Sequence, residues 1–237
     1  MIKIERTETY GWEAAIRGMR NPKNSWDKND SMLCKGMDGF EDCTVNATGE
    51  CPRHEDFSHD IFCIGKNDHE LMMKLANGGP VHAKYRRMID VTCDITCHHA
   101  WWAEFDTYKV GTVRNSCSKM HRIHVKEFVA RDFSTEGINE CGGETAVVFL
   151  SVLHELERLR VLFNTTHEKK YWRAIIELLP MGYNIKATVK LNYEVLAGMY
   201  EWRRNHKLYE WVEFCRWIES LPYSELITGE VFADEQT

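Results

Sequence analysis

Apolar and polar residues alternate from Ile2 to Arg6, the period of a strand with one buried face, and predict an opening strand. The period then becomes helical. Trp12, Ala15, Ile16 and Met19 share a face, Thr9 stands in capping position, and Asn21-Pro22 ends the predicted helix. Asn29 to Gly65 follows neither period and reads as a long Cys-, Asp- and Gly-rich insertion in a single domain spanning residues 1–237; loops of such length are usually functional or disordered. Asn67 to Asn77 is helical in pattern, with Asn67 and Glu70 as a capping box and Leu71, Met72 and Leu75 on the buried face. Gly78-Gly79-Pro80 breaks it.

Strict alternation returns from Met88 to Cys97 and predicts a half-buried strand. Trp101 to Lys109 fits a short helix, and Gly111 to Arg122 is polar and serine-rich. The last hundred residues are mostly helical. Glu144 to Phe163 carries Val147, Val148, Leu150, Leu153, Leu156, Leu159 and Leu162, and Glu168 to Leu179 follows it. Ile185 to Lys190 is extended, and two helices, Leu191 to Asn205 and Lys207 to Leu221, precede Pro222. The fold class expected is α+β, a small sheet with a helical C-terminal half.

Composition narrows the partners. A net charge of -6 argues against wrapping long nucleic acid, although Lys84-Arg86-Arg87 and Arg203-Arg204 are basic spots able to hold one phosphate. No apolar run approaches the roughly 20 residues that span a bilayer, so no membrane partner is expected. MIKIERTETY lacks the apolar core of a secretory signal, and nine cysteines cannot all pair within one chain. Reduced thiols in a cytoplasm are the expectation.

Cys34, Cys43, Cys51 and Cys63, with His54 and His59, invite a structural zinc that would order the insertion. Their spacings are irregular and no C-x-x-C knuckle occurs, so unliganded thiols and no metal site are expected, with a zinc-stabilised interaction module as the competing reading. Cys93 and Cys97 read as small buried hydrophobes. Trp101, Trp102, Phe105 and Tyr108 have the spacing of core residues, with stacking on a flat ring as the alternative. Gly111 to Ser118 offers Arg114, Ser116 and Ser118 to a phosphate or carbonyl, against an ordinary solvated turn. Arg203 and Arg204 close a helix, where cations complement the dipole; Asn192 before that helix and His206 after it make a donor-rich group.

Leu179-Pro180, Asn192, Leu196, Arg203 and His206, taken in order, resemble the flavin-dependent thymidylate synthases, the ThyX family. The resemblance spans most of the chain and implies their fold, a homotetramer, and binding of FAD and a pyrimidine nucleotide. It also implies NADPH as reductant and methylenetetrahydrofolate as carbon donor for methylation at C5. Carried over by position, Asn192 and His206 would be cofactor contacts, and His82 echoes a further histidine. Arg203, with Arg114, Ser116 and Ser118, would hold the nucleotide. The family's signature R-H-R-x-x-S-x-N-E-x-S-x-R-Y is missing: its place reads WWAEFDTYKVGTVRNSCSKMH. Two functions follow. One is a divergent flavoenzyme transferring a one-carbon unit to a pyrimidine deoxynucleotide; the other is a non-catalytic nucleotide- or protein-binding descendant, phage-related in origin.

Overall fold

The structure is a computed structural model that describes residues 1–34 and 61–229. Along the chain these form β1 (Lys3–Tyr10), α1 (Trp12–Arg20), β2 (Met32–Cys34), β3 (Ile61–Cys63), α2 (Lys66–Asn77), β4 (Asp90–His98), α3 (His99–Phe105) and β5 (Val113–Ser116). The helical half adds α4 (Lys119–Arg122), α5 (Glu136–Cys141), α6 (Gly143–Thr166), α7 (Lys169–Leu178), β6 (Asn184–Asn192), α8 (Tyr193–Arg203), α9 (Tyr209–Glu219) and α10 (Glu225–Thr228). One sheet has the order β1-β4-β6-β5, and β2 pairs antiparallel with β3. The architecture is α+β, as the pattern predicts.

Two local expectations are corrected. Thr9 does not cap α1: it lies within β1, and the helix starts after Gly11, whose φ is +94°. Only glycine suits that position, because a Cβ there would lie 2.0 Å from the Met88 carbonyl oxygen. Nor do Asn67 and Glu70 form a capping box. The Asp30 carboxylate caps α2 instead, accepting from the backbone N–H of Asn67 at 2.8 Å and of Asp68 at 3.0 Å.

The chain packs as two compact units. The first comprises Met1–Thr7, Cys93–Val189 and Lys207–Phe214. Its aromatic core joins α3 to α9: Trp101 lies 4.9 Å from Trp211 and 5.6 Å from Phe214, ring centre to ring centre. A second cluster, Phe128, Phe133, Leu156, Leu159 and Ile175, lies between α6, α7 and the loop before α5. Not every apolar position of α6 turns inward. Leu156 and Leu159 are buried, but Val147, Val148 and Leu150 are 63%, 62% and 57% exposed.

The second unit comprises Glu8–Thr92, Lys190–His206 and Cys215–Thr237. Trp12, Ala15 and Ile16 of α1, Tyr85 and Ile89, and Tyr193, Leu196 and Met199 of α8 are buried in it. A 3-10 turn over Lys84–Met88 packs against both α1 and α8, and α10 packs against α2 and α8. No helix of the described residues is long and apolar enough to cross a membrane.

Candidate functional site

Helical spacing places Glu194, Ala197, Gly198 and Glu201 on one face of α8. In the second unit this face looks onto a cavity of about 370 Å³. Gly79 and Pro80 after α2, Arg86 from the 3-10 turn, and Ile227 and Thr228 around α10 contribute the facing wall. Small side chains make the space: a Cβ built on Gly198 would meet nothing within 4 Å. Large apolar residues on the opposite face of α8, Leu196 and Met199, are fully buried and hold the helix in place.

The electrostatics of the cavity are mixed. Arg86 and Glu194 approach to 3.8 Å, Nη1 to Oε2, an ion pair too long to be a hydrogen bond. Their side chains are only 10% and 16% exposed. Arg86 Nε and Glu194 Oε2 are buried with no hydrogen-bond partner among the described residues. Such groups normally find partners, because leaving one unbonded in a dry interior costs about 1–3 kcal/mol. Glu201 and Arg204 also line the space, so its wall carries two cations and two anions. Tyr85 anchors the turn that presents Arg86. Its hydroxyl donates to the Met72 carbonyl at 2.9 Å, and burial pushes it up to about 12.

The residues singled out in the sequence fall in both units. In the second, Asn192 is the N-cap of α8, its Oδ1 accepting from the Val195 N–H at 3.0 Å. Arg203 closes the same helix about 16 Å away at 1.5 Å per residue. The structure does not bring these two together. His206 lies in the turn after α8, and His82 is exposed in the turn after α2, near Gly78. None of the four lines the cavity; their neighbours Glu194, Arg204, Gly79 and Arg86 do.

In the first unit, Arg114 and Ser116 lie on β5 rather than in a phosphate-binding loop. The Arg114 guanidinium stacks 3.9 Å above the Trp102 ring and donates to Asp106 at 2.6 Å, leaving a buried Nε unbonded. Ser116 is exposed, and Ser118 Oγ accepts from the His121 N–H at 3.3 Å. Trp101, Trp102 and Phe105 are at most 1% exposed, so they are core and not the wall of a ring site. Cys93 and Cys97 are buried thiols, pushed up to about 12 by burial. A pairing that sequence reading missed joins β4 to α9: His98 Nε2 lies 3.1 Å from Glu210 Oε1, while His98 Nδ1 accepts from the Trp101 N–H. That His98 contact, foremost, holds the Glu210 carboxyl below its ordinary range.

Cys43, Cys51, His54 and His59 lie outside the described residues, and Cys63 is a buried thiol. Among the described residues no three His, Cys, Asp or Glu side chains are placed to hold a metal ion. The cavity was missed for a simple reason. Acidic and small residues at i, i+3, i+4 and i+7 of α8 were visible, but their partner Arg86 lies more than a hundred residues earlier.

No protein-family model matches the sequence, and no curated protein matches it. Solved structures do. One is Thymidylate Synthase X (ThyX) from Helicobacter pylori with FAD and dUMP, at a TM-score of 0.61 and 15% identity, covering 97% of this chain and 98% of that one. Another is the flavin-dependent thymidylate synthase ThyX from Helicobacter pylori complexed with FAD and dUMP, at 0.63 and 14%, covering 96% and 98%. Across nearly its whole length, this chain has the fold of the flavin-dependent thymidylate synthases.

Proposed function

We propose that the protein is a divergent thymidylate synthase-like flavoprotein that acts on a pyrimidine deoxynucleotide, transferring a one-carbon unit to C5 of the ring. The observation that carries this reading is the fold, shared over 97% of the chain with a protein crystallised with FAD and dUMP. The residues present suit such ligands. The second unit offers a ligand-sized cavity whose wall carries Arg86, Arg204, Glu194 and Glu201.

FAD, once bound and reduced, supplies hydride, with NADPH as the reductant and methylenetetrahydrofolate as the carbon source. The chain's own residues bind and orient. In the first unit Arg114, Ser116 and Ser118 are candidates to hold a nucleotide; in the second, Arg203 is a nucleotide candidate and Asn192, His206 and His82 are candidates to contact the cofactor. For Asn192 this is compatible with capping, because the cap uses only its oxygen and leaves its amide N–H donors for a ligand.

The test is direct. Purified protein is titrated with FAD and with dUMP, and tritium release from C5-tritiated dUMP is followed with NADPH and methylenetetrahydrofolate present. Flavin binding together with tritium release is expected. A colourless protein that binds neither FAD nor dUMP would overturn the reading. A second reading, a non-catalytic nucleotide- or protein-binding descendant, is favoured by one observation. The stretch where the family carries its signature arginines is here a core of Trp101, Trp102 and Phe105, with Arg114 already paired to Asp106. Binding of FAD or dUMP without tritium release is the outcome that selects it.

A further inference from the structure

We infer that His98 is a pH-sensitive cap of α3: its imidazole fixes the first turn of that helix while uncharged and releases it on taking up a proton. A backbone N–H can only donate, so the Trp101 N–H that reaches His98 Nδ1 at 3.4 Å requires a bare nitrogen there. The ring proton then sits on Nε2, 3.1 Å from Glu210 Oε1. An imidazolium carries a proton on both nitrogens. It keeps the Glu210 contact but turns Nδ1 into a donor facing another donor, and the cap is lost.

Burial makes that loss matter. His98 is 7% exposed, so little water reaches the parted groups and the turn must open to satisfy them. The N–H groups at a helix start find no partner inside the helix. Here the His99 N–H donates to the Tyr183 carbonyl at 3.2 Å, and the Trp101 N–H goes to His98. The Glu210 carboxylate of α9 faces the ring from the other side and favours its charged form. Beyond it the Met1 α-amino group and Glu136 of α5, which are opposite in charge, are both felt by the Cys97 thiol next to His98 on β4. α3 also carries both groups that hold Arg114, Trp102 beneath its guanidinium at 3.9 Å and Asp106 at 2.6 Å. The cap therefore sits in the element that positions that arginine.

The experiment uses the full chain, labelled with nitrogen-15 and without added ligand. Imidazole nitrogen shifts tell a bare ring nitrogen from a protonated one. Hydrogen exchange, corrected for its intrinsic pH dependence, gives the protection of the Trp101 amide. At about pH 8 a bare Nδ1 and a protonated Nε2 are expected. On descent to about pH 5, across the range in which imidazoles change charge, both nitrogens are expected to carry protons. Protection of the Trp101 amide is expected to fall by at least about fivefold in step with the ring, the worth of a lost N-cap. The amide of Ile175, in the core beside α7, is expected to keep its protection. His98→Asn supplies a capping oxygen that gains no proton, so its Trp101 protection is expected to be the same at both ends of the range. Circular dichroism checks that this variant is folded; if it is not, the unaltered chain decides. A proton on Nδ1 at the alkaline end would overturn the inference, as would a ring still neutral at the acid end. Trp101 protection that ignores the charging of the ring would also overturn it. So would an equal acid loss in folded His98→Asn, or an equal loss at Ile175, which would make the event global unfolding.

Discussion

Asp68 is fully buried and accepts four hydrogen bonds, from Arg20 Nε at 2.6 Å, the N–H groups of Asp30 and Ser31 at 3.1 Å, and Ser31 Oγ at 2.7 Å. Ser31 Oγ accepts in turn from the Gly65 N–H at 2.9 Å. One carboxylate therefore ties residues 30–31 to residues 65–68, the two ends of the cysteine-rich insertion. Replacing Asp68 with Ala strands a buried guanidinium and is expected to cost about 3–5 kcal/mol, read from the urea midpoint. A loss under about 1 kcal/mol would mean that the pair is solvated and worth no more than a surface ion pair. The thiols make a second residue-scale prediction. Cys93, Cys97 and Cys215 are each pushed up to about 12 by burial, so little thiolate exists at neutral pH. Mass spectrometry after a short iodoacetamide pulse is expected to find label on exposed Cys117 and Cys141 and none on these three.

At the scale of elements, His98 and Glu210 couple the end of β4 to the first turn of α9 in the first unit. The hydrogen bond from His98 is the principal force holding the Glu210 carboxyl below its ordinary 4.5. A carboxyl lowered in the folded state binds its proton more weakly there than in the unfolded chain. Its contribution is therefore complete above 4.5 and is lost as pH falls below that value towards the lowered folded one. Stability measured between neutral pH and about pH 3 is expected to fall on this acid limb, and Glu210→Gln is expected to shallow the fall. An acid limb of unchanged slope in the variant would sink the assignment.

For the whole molecule, α6 is a long helix that leaves much of its apolar surface uncovered. Its 24 residues bring Leu156 and Leu159 into the core of the first unit but leave Val147, Val148 and Leu150 exposed on its N-terminal half. Apolar side chains clustered in this way are usual where another surface covers them. The expected homo-oligomer is one such cover. Light scattering behind size exclusion is expected to give a mass above the 27.8 kDa of one chain, and Val148→Asp with Leu150→Asp to lower it. A monomer in both cases would leave α6 bare and remove the expectation.

Local period determined much of this protein. α1, α2, α6, α7, α8 and α9 follow the apolar spacing, and β4 and β6 follow alternation, because a face that must be buried imposes its repeat on consecutive residues. The order of Leu179-Pro180, Asn192, Arg203 and His206 also made the fold recognisable where overall identity, at 14–15%, is low. Tertiary structure alone decided the rest. Asp30 capping α2, Trp101 and Trp102 closing a core with Trp211, and Arg86 facing Glu194 each join residues between 37 and 110 positions apart. Nothing in the local period of either partner announces the other, since a hydrogen bond or a cavity depends on where two distant backbones come to lie. The helix at Tyr193–Arg203 shows both sides of this: its polar ends were visible in the sequence, whereas the cavity along its middle exists only once α2, the Arg86 turn and α10 have packed around it.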